Sequence, residues 1–289
     1  MLVIVGSIVV ILCVFGGYMA MGGKPGVLWQ PFEAVIIVGA AIGAFFIGSP
    51  KSVISQFGGA MAMAFKGSPY KNDDFIELLS MQFQVFKLAK LKGMLSLEPH
   101  VENVEDSDLF GQFPNFHANH HALTFMCDYL RMISLGTEKV HQMEALMDDE
   151  IKVHHAEKHR LSGAVQSMAD GLPALGIVAA VLGVIKTMGS ISEPSKMLGK
   201  LIGGALVGTF LGVFVAYGFV GPIAITLAKA YESESKYYAC MKAGILAYLA
   251  GYAPAIRVEF ARKSLMSDVR PTFYEVEEAV SSLPTVDAG

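Results

Sequence analysis

Charged residues are scarce in this chain, at 17%, while hydrophobic residues reach 53%. An ordinary soluble domain carries about 25% charged residues, so the composition excludes a simple water-soluble globule. The shortage is concentrated in four long apolar runs, Leu2–Met21, Phe32–Gly48, Leu172–Met188 and Leu201–Leu227, which form two pairs about 120 residues apart. The cores of these runs hold no Asp, Glu or His, and the charge counted within them is Lys186, near one end of the third. A membrane protein that moves protons unaided needs a titratable group near mid-bilayer. An ion-binding group is therefore expected from a partner.

Other absences narrow the class further. Cys13, Cys127 and Cys240 are scattered, without a CxxC pair, which argues against a disulfide framework and for three inert thiols. No apolar alternation of period two runs long enough for a sheet, and no repeat of solenoid length occurs. There is no Ser-His-Asp order, phosphate-binding GxxxxGK[ST] loop or dinucleotide fingerprint, so no catalytic residue is assigned and an enzyme is not expected. Basic clusters are too sparse for nucleic acid. Histidines gather at His117/His120/His121 and His154/His155/His159, but neither group has the HExxH order or a completing Cys or carboxylate. They are read as solvated helix faces, with no metal and no cofactor.

What is present is four apolar runs of about 17–27 residues, where roughly 20 residues of helix cross the hydrocarbon core. The fold expected is an all-α integral membrane protein, with four transmembrane helices in two hairpins and a large helical cytoplasmic domain. The first run is expected to be a true span and not a signal peptide, since Met1 alone precedes it, without a basic n-region, and it is longer than a typical h-region. Lys24, Lys196 and Lys200 are the only basic residues in the two short connections; nearly all others lie in 51–160 or after 228. The positive-inside rule then puts both large polar segments and both termini in the cytoplasm. The organisation predicted is a first hairpin over 1–50, a cytoplasmic helical domain over 51–170, a second hairpin over 171–227 and a cytoplasmic helical tail over 228–289.

Helical spacing is clearest over Asp73–Leu91, then over His120–Leu135 and Glu138–Ser162. The fourth span runs on past the membrane, with no strong breaker in Ile223–Ala250, and a short helix Ala255–Leu265 and an amphipathic tail around Tyr274–Leu283 follow. Ser195 is a plausible N-cap for the fourth span. Gly204, Gly208, Gly212 and Ala216 recur every four residues, and shorter series occur at Gly39/Gly43 and Gly176/Ala180/Gly183. Small residues let helix backbones approach closely in lipid. Thr209 lies beside the main stripe; a Thr in a span commonly bonds the carbonyl four residues back. Pro173 is expected to open the third span, where proline is tolerated, and Pro222 to bend the fourth. Lys90 and Lys92, with Glu98, Glu102, Glu105 and Asp106, form a mixed-charge zone, ordinarily a solvated face and otherwise suited to protein docking.

Five blocks carry a family resemblance. The fourth span reads ALVGTFLGVF (Ala205–Phe214), then seven residues, then Pro222; the others are LPALGIVAAVLGV (Leu172–Val184), SLEPHVEN (Ser96–Asn103), EALMDDEI (Glu144–Ile151) and GYAPAIRVEFARK (Gly251–Lys263). The chain thereby resembles the MotA family of bacterial flagellar stator subunits, part of the wider MotA/ExbB/TolQ proton-channel group, over essentially its full length. The resemblance implies a homo-oligomer, a ring of five copies around two copies of the single-span partner MotB, in the bacterial inner membrane. MotB's membrane aspartate would carry the proton, which fits the missing carboxylate. Thr209, Ala180 and Tyr217 would line the ion route, Pro173 and Pro222 would couple protonation to movement, and Lys90 and Glu98 would meet opposite charges on the rotor protein FliG.

Two departures stand out, Lys90 and Lys186, the second at the outer end of the third span, where a long stem can snorkel. Familiar members carry Arg where this chain has Lys90, and lysine lacks the bidentate fork. Sodium-driven relatives have Thr where this chain has Ala180, so H+ is expected in preference to Na+. The nearest rival is an ExbB- or TolQ-like energiser of another envelope machine, but those resemble three-span chains. A solute permease would carry broken mid-membrane helices or polar substrate groups. A passive membrane scaffold would pass no ion current.

Overall fold

The computed structural model describes residues 2–67, 70–137, 139–190, 192 and 194–284. Glu138, the first residue of one predicted helix, lies outside them, as do Ile191 and Glu193 of the loop before the fourth span. Ten helices carry the architecture: α1 Leu2–Ala20, α2 Pro31–Gly48, α3 Lys51–Lys66, α4 Asn72–Lys92, α5 His120–Ser134, α6 Val140–Met188, α7 Ser195–Val215, α8 Gly221–Leu249, α9 Pro254–Lys263 and α10 Phe273–Ser281. Short helical turns connect α4 to α5, and no strand occurs among the described residues. Four helices are long and apolar enough to cross a membrane, as the four runs require.

The chain divides into two compact units, one of residues 1–68 and 156–231, the other of 69–155 and 232–289. These units do not follow the four sequential segments expected. Both hairpins fall in one unit together with residues 51–67 and 156–170. The reason is packing: Val53, Ala60 and Ala64 of α3 join Phe45, Leu161, Val165 and Leu227 in one buried cluster. Two helices are shared between the units, α6 dividing after His155 and α8 after Tyr231.

Within the first unit, α1 buries no residue in its own protomer. Its Phe15 ring meets Phe210 and Phe214 of α7 edge-on, and the rest of a helix apolar on every side suits lipid or neighbouring subunits. Contact between α6 and α7 is close instead. A methyl built on Gly212 would stand 2.7 Å from the Leu172 carbonyl oxygen and 2.9 Å from the Gly176 Cα, and one on Gly183 would stand 2.7 Å from the Ala205 Cβ. The small-residue series of the third and fourth spans thus face one another. Gly39 and Gly43 meet nothing within 4 Å in the protomer.

Pro173 sits differently from expectation and does not open a helix. It lies deep within the 49-residue α6, because the cytoplasmic segment and the third span form one helix. Interior proline removes a ladder hydrogen bond and crowds the carbonyl four residues back. Ahead of Pro222 the chain adopts a π-helical turn, Ala216–Val220, between α7 and α8. Such a turn is a known way to absorb a proline's missing donor and its ring, and it re-aims the residues within it. Ser195 is the first helical residue of α7; the cap position belongs to Pro194, which supplies no side-chain bond.

The second unit is built on aromatic packing. Phe75, Phe86, Phe110, Phe116 and Tyr129 are fully buried, and Tyr70 stacks on Tyr237 with ring centroids 4.2 Å apart. Arg257 is also buried, its guanidinium 4.5 Å from the Tyr248 ring centroid, while it donates to the Phe86 and Tyr252 carbonyls. Stacking plus carbonyl acceptors is what lets a guanidinium leave water. Cys127 and Cys240 are buried here, and burial pushes both thiols up to about 12. They are inert, since the thiolate is the reactive form.

Replacing Gly212 with Ala is expected to destabilise the helix pair by about 1–3 kcal/mol, the usual cost of overpacking against backbone. A thermal-unfolding series of the purified protein in detergent checks this against Gly6→Ala, whose added methyl meets nothing within 4 Å.

Candidate functional site

The fourth span's glycine stripe determines what can approach it. At Gly208 an added methyl would lie 3.1 Å from the Ala179 Cβ and 3.2 Å from the Ala180 amide nitrogen. The Ala180 backbone therefore lies against Gly208, the residue before Thr209. Tyr217 does not join them. It stands in the π turn, 68% exposed, eight residues or about 12 Å further along the helix.

Threonines in the spans behave in two ways. Thr187 donates to the Gly183 carbonyl at 2.8 Å and Thr226 to the Pro222 carbonyl at 2.9 Å, the local bond expected of a Thr in an apolar helix. Thr209 forms no hydrogen bond among the described residues. The residue is half-buried, and its hydroxyl keeps both its donor and its acceptor capacity for something else.

Counting Lys186 as the charge within the apolar runs passed over Glu33. That residue lies in the first turn of α2, the second residue of the run Phe32–Gly48. Its Oε2 is inaccessible and has no hydrogen-bond partner among the described residues, and it lies 3.2 Å from where a Gly208 methyl would stand. The signal was a carboxylate two residues after Pro31 in an otherwise apolar run. It was hidden by its place at the edge of that run.

In the second unit, Lys90 lies in the last turn of α4 and Glu98 opens the short helix Glu98–Glu102; both are exposed and make no ion pair among the described residues. Gly93, at φ 83, turns the chain between them. The rest of the mixed-charge zone is partly self-satisfied, since Glu102 pairs with Arg131 at 2.7 Å and Asp128 pairs with the same arginine at 2.8 Å. Exposed pairs of this kind contribute about 0.2–1 kcal/mol.

The histidines are not simply solvated. His154 Nε2 is 3.0 Å from Glu234 Oε1, His155 Nδ1 is 2.8 Å from Ser235 Oγ, and His117 Nε2 is 3.1 Å from the Val104 carbonyl oxygen. These bonds tie the histidines to groups distant in sequence, which their clustering along the chain did not disclose. Among the described residues no three His, Cys, Asp or Glu side chains gather as metal ligands.

Comparison with known proteins follows the same residues. The family profile "Motility protein A N-terminal" matches residues 4–93, and "MotA/TolQ/ExbB proton channel family" matches residues 118–239. Motility protein A of Escherichia coli K12 is 42% identical over 98% of this chain and 96% of its own length. Among solved structures, the C. jejuni MotAB structure superposes with a TM-score of 0.76 at 19% identity, covering 92% of this chain and 96% of the matched one. The flagellar MotAB stator complex from Bacillus subtilis does so with 0.70 at 24% identity, covering 89% and 92%. These two establish the likeness of fold.

Thr209→Val should leave thermal stability almost unchanged, because no bond within the protomer is lost. Thr187→Val, which breaks the bond to Gly183, should cost about 0.5–1.5 kcal/mol. Unfolding curves of the two variants side by side check the contrast.

Proposed function

Because this chain belongs to the motility protein A family, a family of motility and proton-channel proteins and not of enzymes, we propose that it is the flagellar stator subunit that couples proton flow to torque together with a MotB partner. The observation that carries this reading is the 42% identity, which extends over 98% of the chain and so spans both the membrane hairpins and the polar domain. The partner, a single-span protein, supplies the membrane acid, and several copies of this chain ring it. The assembly resides in the bacterial inner membrane with both large polar regions and both termini in the cytoplasm, as the lysine and arginine distribution requires.

In this mechanism the partner's acid moves along the face of α7. Ala180 and the unengaged Thr209 hydroxyl bound its path, and Tyr217 marks its inner end. An alanine at position 180 withholds the extra oxygen that a sodium ion's coordination shell would use, so the ion is a proton. Each proton crossing contributes about 2.3 kcal/mol per 100 mV. That is enough to bias an element whose two arrangements differ by a few kcal/mol. Pro173 and Pro222 supply such elements. Each lies in or beside a helix shared by the two units, so a change of bend is passed along continuous backbone. Lys90 and Glu98, both exposed and unpaired, then meet opposite charges on FliG.

Swimming and proton uptake with co-expressed partner test the reading. Thr209→Val should slow swimming at unchanged membrane level; normal speed would remove Thr209 from the pathway. Reversing Lys90 and Glu98 together should cut torque while insertion and assembly persist, and motility equal to wild type would move the rotor contact elsewhere.

A further inference from the structure

Glu33 has no part in the mechanism above, yet its carboxyl is placed where that mechanism runs. The Gly208 methyl position is 3.2 Å from Glu33 Oε2 and 3.2 Å from the Ala180 amide nitrogen. The carboxyl therefore lies where α2, α6 and α7 meet, beside Gly208, the residue before Thr209. Gln30, one helical turn earlier, is placed in the same manner against Gly204, where a methyl would lie 3.0 Å from its Nε2. It is half-buried and donates to the Val27 carbonyl at 3.3 Å. Two glycines of the α7 stripe thus make room for two polar side chains of the second hairpin partner. They form a lane of two half-buried side chains, Gln30 and Glu33, the latter with its Oε2 inaccessible and beside Gly208, the residue before Thr209.

Structural duty does not account for the glutamate. A buried polar atom without a partner is destabilising, and Gly208, Ala179 and Ala180 offer it no side-chain donor. An apolar residue there would pack α2 more stably. Ionisable groups kept in membrane helices at such a cost mark ion pathways.

We propose that Glu33 is a second proton-carrying carboxyl of the stator, supplied by this chain and placed between the outer aqueous phase and the partner's acid. A proton arriving by way of Gln30 forms the O–H bond at Glu33. That bond breaks when the proton is handed, through water at Thr209, to the partner's carboxylate, and Glu33 ends as it began. This assignment rests on the proton-coupling reading given above.

The test is proton uptake by vesicles containing the full complex of this chain with its single-span partner, an internal pH-sensitive dye reporting flux under an imposed potential. Glu33→Gln keeps shape and hydrogen bonding but cannot carry a proton. Its flux should fall about 100-fold, the low end of what a positioned proton-transfer group contributes, with assembly by size exclusion unchanged. Glu33→Asp should restore part of it. Wild-type flux in an assembled Glu33→Gln complex overturns the proposal. If that variant does not assemble, Glu33→Asp decides: reduced flux supports the relay and full flux overturns it. Absence of flux from the wild-type complex would instead overturn the proton-coupling reading itself.

Discussion

Close backbone approach between α6 and α7 is the constraint on which the rest of the membrane unit depends. Leu172, Gly176 and Gly212 meet where not even one added carbon fits without movement, at 2.7–2.9 Å. In lipid this contact draws nothing from the exclusion of water; it rests on packing between bare backbones. Because the two helices are pressed together there, the Ala180 backbone is held against Gly208, the residue before Thr209. Small residues therefore do two jobs on one helix. Gly212 admits a neighbouring backbone, while Gly204 and Gly208 leave room for the side chains of Gln30 and Glu33.

The two prolines illustrate how a rigid scaffold retains a place to yield. Pro173 interrupts the hydrogen-bond ladder of a helix that otherwise runs for 49 residues. Pro222 is preceded by a five-residue π turn, which widens the helix locally and turns Tyr217 outward. Neither feature is a break. Both spans continue through them, so the backbone stays connected while its bending stiffness drops at two defined points.

Much of this was legible in the sequence. The four apolar runs became the four candidate spans, the spacing over 73–91 became α4, and the tail helices fell within a few residues of expectation. Blocks such as Ala205–Phe214 carried the family resemblance. The misreadings have physical causes. Polar residues before Pro173 suggested a separate helix, although a helix that leaves the membrane simply changes its solvent. The His154–Glu234 and Arg257–Phe86 contacts join residues far apart in sequence, beyond any periodicity. Glu33 escaped because averaging over a run hides one charge at its edge, and its importance comes from Gly208, on another helix.

Cysteine chemistry follows from burial in this molecule. With Cys127 and Cys240 enclosed in the aromatic core and held as neutral thiols, Cys13 is the sulfur left on the outside of the protomer, on the bare flank of α1. A membrane-permeant maleimide would thus find a single address in the native chain. A probe attached there reports on whatever lies beside that flank, lipid or neighbouring copy, with no residue engineered in or out.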